Sequence, residues 1–521
     1  MKSFFSAGGA VPWWISGLSL FMSFFSVGTF VVWGSIAYSD GLVAVTIQST
    51  MCIAGLLVGF YIAPKWNKTR TLTAAEYITE RLGIKAQKIY TYLFLFISMF
   101  TTGAFLYPVA KIVEVSTGFP LSWVVIILGG LITVYTAIGG LWAVLVTDVL
   151  QFIVLAAAVI IVLPLAFGEV GGVSGFLDRV PDGFMALHNE EYTWGFLFAF
   201  GIYNMIYIGG NWAYVQRYTS VKSPTDAKKV GWLFAGLYLI SPLVWMLPPM
   251  IYRVMNPDLQ GLADEGAYLM LCKEILPNGL LGLILGGMVF ASASSVNTTL
   301  NIASGVFTND LYKSINPDAS EKGTMKVARI VTGIFGVITI VVALMVQKMG
   351  GIVEVVLSVA AITGSAMFLP PIWALFSKRQ TGSTILIATI ASLIINSFFK
   401  FIAPDLLGIT LSRSYEMILG VACPVLVLMI SEFVIVIQKK SNTDFEKYEL
   451  IQKDKAILDS NEQEASSNQK GNKIIAKGIG VIGLLIITLG ILSPDSKALV
   501  IGMGVLVEAV AFVVYRGSLK K

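Results

Sequence analysis

"MVFASASSVNTTLNIAS", Met288 to Ser304, continues an almost wholly apolar stretch, "GLLGLILGGMVF", that reads as membrane core. Within it stand Ser292, Ser294, Ser295, Asn297, Thr298, Thr299, Asn301 and Ser304. Lipid offers such groups no hydrogen bonds, so they must face protein, water or an ion. On a helix, Ala291, Ser294, Ser295 and Thr298 follow i, i+3, i+4, i+7 spacing and share a face, which Asn301 and Gly305 extend. Hydroxyl oxygens on that face are hard, neutral donors suited to a small hard cation such as sodium. Neutral ligands also let an ion leave again, which a buried carboxylate would resist. Interhelical hydrogen bonds in membranes average only about 0.6 kcal/mol, so a run this dense exceeds what packing needs.

Composition sets the context. The 521 residues are 56% hydrophobic and only 13% charged, with a mean hydropathy of +0.79. A soluble chain would carry roughly twice that charge. Apolar runs of roughly 20 residues recur throughout, the pattern of an all-α polytopic membrane protein. About 14 spans are predicted, at 12–37, 41–63, 88–117, 121–139, 143–168, 192–218, 229–255, 278–312, 325–348, 351–377, 382–403, 413–437, 474–492 and 495–515. Cys52, Cys272 and Cys423 are too scattered for a disulfide framework or a metal site. His188 reads as a solvated loop residue. The first apolar run is too long for a cleaved signal and lacks a cleavage site.

Basic residues set the orientation. With the first span starting in the cytoplasm, most of the 36 Lys and Arg fall inside. "PKWNKTRTLTAAEYITERLGIKAQK" and 438–477 are the richest segments, whereas the opposite face carries "GEVGGVSGFLDRVPDGFMALHNEEY". Both termini are therefore predicted cytoplasmic, in a multi-pass inner-membrane protein. The net charge of +5 follows from this bias and needs no nucleic-acid partner. Residues 440–472 mix both charge signs and read as a solvated, partly helical connector.

Two spans break helical rules at comparable depth. The first, "ISGLSLFMSFFSVGTFVVWGSIAY", holds Ser23, Ser26, Gly28 and Thr29; the sixth, "FAFGIYNMIYIGGNWAYVQRY", holds Gly201, Asn204 and Gly209–Gly210. Glycine loosens a helix by about 1 kcal/mol relative to alanine, and hydroxyls satisfy backbone groups so freed. Interruptions five spans apart predict two inverted five-helix halves with a binding site between them. Small-residue helix packing is the plainer account of either break alone. Asp148, in "IGGLWAVLVTDVLQ", is the main acidic residue inside a span, and it either has a partner or snorkels to the interface. Lys111 and Glu354 read as interfacial. The spans show no nucleophile–base pair, metal cluster or nucleotide loop, so no enzyme is expected.

At these residues the chain resembles the sodium:solute symporter family, which holds sodium-coupled sugar, sialic-acid and proline transporters. "FSAGGAVPWWISGLSLF", "GGLWAVLVTDVLQ", "VQRYTSVKSPTDAKK" and "FASASSVNTTLNIASGVFTNDLY" carry the likeness, in order, between about Phe4 and Arg379. The resemblance implies a LeuT-like 5+5 inverted-repeat core with broken helices 1 and 6, plus about four C-terminal helices. Its expected divisions are a core at 1–379 (repeats about 12–168 and 192–377), two helices in 380–439, a cytoplasmic loop at 440–472 and two helices in 473–521. It implies a sodium site from carbonyls of Met22 and Phe25 with Ala291, Ser294 and Ser295. A second sodium would fall at Asp148, Asn297 and Thr298 with Ser294, although Asn297 stands where such sites carry serine. Ser26, Thr29, Gln48, Asn204 and Ser358 are the implied solute contacts.

All five offer neutral hydrogen bonds, which favours a neutral sugar or polyol and leaves an amino acid or other small organic solute open. Sialic-acid carriers place an arginine where Thr101 stands, which argues against a sugar acid. Most relatives begin with one further helix, lying outside the ten-helix core. The implied mechanism is alternating access by a monomer in the lipid bilayer, with Na+ and a small-molecule solute as ligands. A transporter-like solute sensor signalling through 440–472 is the rival, and sodium-dependent accumulation would separate the two.

Overall fold

The computed structural model describes residues 11–24, 26–71, 73–136, 141–259, 261–312, 315–316, 319–438, 442–461, 469–492 and 497–519. These residues form helices and their connections, with one isolated parallel bridge between Val11 and Val221. Among them, nine helices are long and apolar enough to cross a bilayer, and further shorter apolar helices fill the remaining expected spans.

In chain order, α1 comprises Trp13–Met22 and Gly34–Asp40, joined through a π-turn at Thr29–Trp33. Then come α2 (Leu42–Leu57, continued through Lys68), α3 (Ile84–Thr117), α4 (Leu121–Thr136) and α5 (Leu141–Glu169). The second half starts with α6, Trp194–Gly210 and Trp212–Thr219, followed by α7 (Pro224–Met255), α8 (Asn278–Val306) and α9 (Glu321–Met345). α10 runs from Ile352–Val359 to Ser365–Phe376 through a π-turn at Ala360–Gly364. α11 (Gly382–Ser397), α12 (Arg413–Gln438), α13 (Gln469–Leu492) and α14 (Lys497–Leu519) complete the set.

Local chemistry starts these helices where the sequence supplies a cap. Thr193 accepts from Phe196 N–H at 3.2 Å to open α6, and Ser223 accepts from Asp226 N–H at 3.1 Å, beside Pro224, to open α7. The two interrupted helices touch where they reach the basic face, as Val11 N–H donates to Ser220 O at 3.2 Å. α13 and α14 pack on each other and against α5, outside the ten-helix core.

Three sequence expectations need correction. The break in α6 falls at Asn211, whose φ of −64° and ψ of 129° leave the helix, and not at Gly209–Gly210. Asn211 Oδ1 accepts from Ala213 N–H at 3.0 Å and so caps the second segment. Both glycines stay helical and instead allow close approach of α10 and α2: a Cβ on Gly210 would lie 2.9 Å from Phe368 O, and one on Gly209 2.9 Å from Ile62 Cδ1. Second, α10 is also interrupted. Its π-turn is supported from α11, where Asn396 Nδ2 donates to the carbonyls of Ala361 and Ile362 at 3.3 and 3.2 Å.

Third, the segment after α12 is not simply solvated. Thr443–Asn461 is a helix lying on the basic face. Asn442 caps it and also donates to the carbonyls of Lys378, Arg379 and Gln380 at 3.0, 3.1 and 2.9 Å. Tyr448 meets the Tyr77 ring edge-on at 6.0 Å, Gln452 donates to Thr69 O at 2.9 Å, and Lys455 pairs with Glu80 at 2.7 Å. Burial, reinforced by the Glu80 charge, pushes the Tyr448 phenol up to about 12. Removing this packing and ion pair should weaken docking by about 1–2 kcal/mol. Tyr448→Ala/Lys455→Ala is therefore expected to speed thermolysin cleavage within 443–461 roughly tenfold. An unchanged cleavage rate would show that these contacts do not hold the helix.

Candidate functional site

The unwound stretch of α1 gives the site its character. In an unbroken helix the Ser26 N–H would bond the Met22 carbonyl and the Val27 N–H that of Ser23. Here Ser26 N–H donates to Thr29 Oγ1 at 3.2 Å, and Val27 N–H donates across the molecule to Ser292 Oγ on α8 at 2.8 Å. Thr29 Oγ1 in turn donates to Phe24 O at 2.7 Å, while Thr29 N–H donates to Ser26 O at 2.9 Å. The carbonyls of Phe24 and Ser26 are thus engaged within the segment, and that of Met22 has lost its helical donor. Backbone oxygen is freed beside a hydroxyl-bearing helix, the arrangement that accommodates small hard cations.

Beside this break lies a cavity of about 260 Å³, lined by residues of α1, α2, α3, α6, α7, α8 and α10. Its lining includes Met22, Ser26 and Thr29 from α1, Gln48 from α2, Asn204 from α6 and Ser295 from α8. Gln48 and Asn204 are each 2% exposed, and Asn204 Nδ2 donates to Thr50 Oγ1 at 3.0 Å. On α8, Ser295, Thr299 and Ile302 face the cavity at i, i+4, i+7 spacing.

Ser358 is not in the lining. Its Oγ donates to Glu354 Oε1 at 2.9 Å, while α10 turns Val356, Val359, Ala360 and Thr363 inward. Glu354 belongs to an ion-pair cluster at the acidic end, with Lys400 at 2.6 Å and Arg413 at 3.1 Å. Lys111 pairs with Glu114 at 3.0 Å. Asn297 is buried on α8, 5% exposed. Phe25 and the side chains of Asp148, Ala291, Ser294 and Thr298 lie outside the described residues. His188 is exposed, its ring 4.9 Å from that of Trp194, and the three cysteines are free.

Several lining residues have no counterpart in the sequence expectations. Phe196, Phe200, Tyr203 and Tyr207 form a ladder along α6, successive centroids 5.4, 5.4 and 5.5 Å apart with interplanar angles of 10°, 26° and 22°. Three of them, Phe200, Tyr203 and Tyr207, face the cavity, joined there by Tyr214, Trp33 and Phe94. Their spacing of four, three and four is a helical face, visible in principle but hidden inside a uniformly apolar run. Ser98 adds a hydroxyl from α3, beside Thr101, which stands where sialic-acid carriers are expected to place an arginine. Among the described residues of the lining Arg217 alone is charged; it is 7% exposed and donates to Ala213 O at 2.8 Å and Ser19 Oγ at 3.2 Å.

The architecture is that of a multi-pass membrane protein whose cavity sits between two interrupted helices. The chain belongs to the sodium:solute symporter family, whose model matches residues 4–392. It is 28% identical to the sodium/glucose cotransporter of Vibrio parahaemolyticus over 77% of this chain and 79% of that one. It is likewise 28% identical to the human sodium/myo-inositol cotransporter 2, over 63% of this chain and 55% of the relative, so that match spans little more than half of the relative's length. Among solved structures, a Na+-coupled sialic acid symporter in a substrate-bound outward-open state aligns with a TM-score of 0.67 at 20% identity, covering 82% of this chain and 90% of that one. Mhp1, a nucleobase-cation-symport-1 family transporter, aligns at 0.52 and 14% identity over 84% of this chain and 96% of its own. The fold is the LeuT-like five-plus-five arrangement with broken α1 and α6.

Proposed function

We propose that the chain is a sodium-coupled symporter that imports a small neutral polar solute, a sugar or polyol, by alternating access. The observation that carries this reading is the α1 break, whose displaced amide is held by a hydroxyl of α8 beside the cavity. The Met22 and Phe25 carbonyls with Ala291, Ser294 and Ser295 would hold the coupling ion; Asp148, Asn297 and Thr298 would hold a second. The names of the glucose and myo-inositol relatives support the solute class. So does the lining: aromatic faces suit the C–H faces of a polyhydroxylated solute, and Gln48, Asn204 and Ser26 supply uncharged donors and acceptors. Thr29 is better read as a brace of the break, its hydroxyl being committed on both sides. An acidic solute would have to rely on Arg217, which is already held by Ala213 and Ser19.

Sodium entry down a 100 mV potential supplies about 2.3 kcal/mol per ion, enough for a roughly fifty-fold accumulation of solute. Ion and solute, both bound against the α1 break, would raise each other's affinity by the same factor. The functional unit is taken as a monomer in the inner membrane, both termini cytoplasmic, as the basic connectors suggest. The test is uptake of labelled glucose and myo-inositol into proteoliposomes. Accumulation of at least one at ten times the choline level or more under an inward sodium gradient is expected. Equal uptake in sodium and choline would overturn sodium coupling, and sodium-dependent binding without accumulation would favour a sensor.

A further inference from the structure

We infer that Ser292 is a positioning residue for the cation site, acting through the backbone of α1 and not as an ion ligand. The inference rests on the sodium-symport reading. Ser292 lies on α8 between Ala291 and Ser294, is 2% exposed, and receives the Val27 N–H at 2.8 Å. Val27 is itself fully buried, so water cannot stand in for this partner.

The bond fixes more than one amide. A peptide unit is planar and trans, so holding the Val27 N–H also aims the Ser26 carbonyl, in the opposite direction. That carbonyl accepts from Thr29 N–H at 2.9 Å. The plane between Ser26 and Val27 is therefore gripped at both ends, by α8 on one side and by the resumed α1 on the other. Met22, whose carbonyl the diverted Ser26 N–H leaves without its helical donor, stands four residues before Ser26 in the gripped plane. Ser292 thus sets the distance and tilt between freed carbonyls on α1 and the hydroxyl face of α8. Without its Oγ, α1 could drift from α8 with no ion ligand having been removed, and sodium would first have to restore the spacing.

The test compares wild type, Ser292→Ala and Ser292→Thr in full-length protein reconstituted in liposomes. Three quantities are read: the sodium concentration for half-maximal uptake, the solute KM at saturating sodium, and the Tm of purified protein in choline chloride. For Ser292→Ala the half-saturating sodium should rise about tenfold, while the solute KM and the Tm in choline stay within twofold and two degrees of wild type. Ser292→Thr, which keeps the acceptor, should restore sodium affinity to within threefold. If the alanine variant fails to accumulate, Ser292→Cys, a weaker acceptor of similar size, should show an intermediate shift. An unchanged sodium requirement in the alanine or cysteine variant overturns the inference. So does a loss of solute affinity and Tm in step with sodium affinity, which marks a merely structural serine. Wild-type uptake that is equal in choline overturns the symport reading itself, and the positioning role with it.

Discussion

Replacing Ser294 and Ser295 together with alanine is expected to reduce solute uptake in sodium to the level measured in choline. Two ligand oxygens would be lost from a site built of uncharged groups. Scaled from hydrogen bonds to charged partners, each is worth about 1.5–3 kcal/mol, so sodium affinity should fall at least about a hundredfold. The fold should survive, because both residues lie within a long helix and alanine favours that conformation. The decisive comparison is sodium-dependent uptake against the Tm in choline: transport collapses and the Tm holds. A double variant that still concentrates solute with a wild-type sodium requirement would remove α8 from the ion site. Either single variant should lie between, with a raised sodium requirement and partial uptake.

The second large effect is expected at Gly364, where the π-turn of α10 meets the ring ladder of α6. A Cβ at this position would lie 2.1 Å from Tyr203 Cε2, far inside contact distance. Tyr203 is flanked by Phe200 and Tyr207, so its ring cannot tilt without disturbing the stack. Overpacking of this kind costs about 1–3 kcal/mol. Gly364→Ala should therefore lower the Tm and raise the solute KM tenfold or more. Stabilisation by sodium alone, measured without solute, should remain. Adding Tyr203→Leu should recover much of the stability and little of the solute affinity. If Gly364→Ala binds solute like wild type, Tyr203 is not part of the solute wall.

Much of this molecule is written locally. The spans show as apolar runs, and the α1 break shows as Ser23, Ser26, Gly28 and Thr29 gathered at one depth. The polar run of α8 betrays itself because nothing in lipid can satisfy it. What escapes is set by partners distant in sequence. The glycines before Asn211 serve close approach to Phe368 and Ile62, and the α6 break falls after them, where Asn211 leaves the helix and caps the next segment. The π-turn of α10 depends on Asn396, more than thirty residues away. Ser358 stands one helical turn after Glu354 on the regular segment before that turn, and its hydroxyl is committed to that carboxylate. The helix after α12 looked solvated because its charges are many. Their partners, Glu80 among them, lie in another connector near the start of the chain.

That docked helix grips two connectors at once. Asn442 holds the turn joining α10 to α11, while Gln452 and Lys455 hold the stretch between α2 and α3. These connectors belong to opposite halves of the molecule. Were the halves to swing as the proposed mechanism requires, a bar seated on both would have to slip, tilt or let go. Its seating energy then weighs on one side of the balance only, and each 1.4 kcal/mol tips the resting populations tenfold. A segment outside the apolar spans would in this way bias which side the empty vestibule faces.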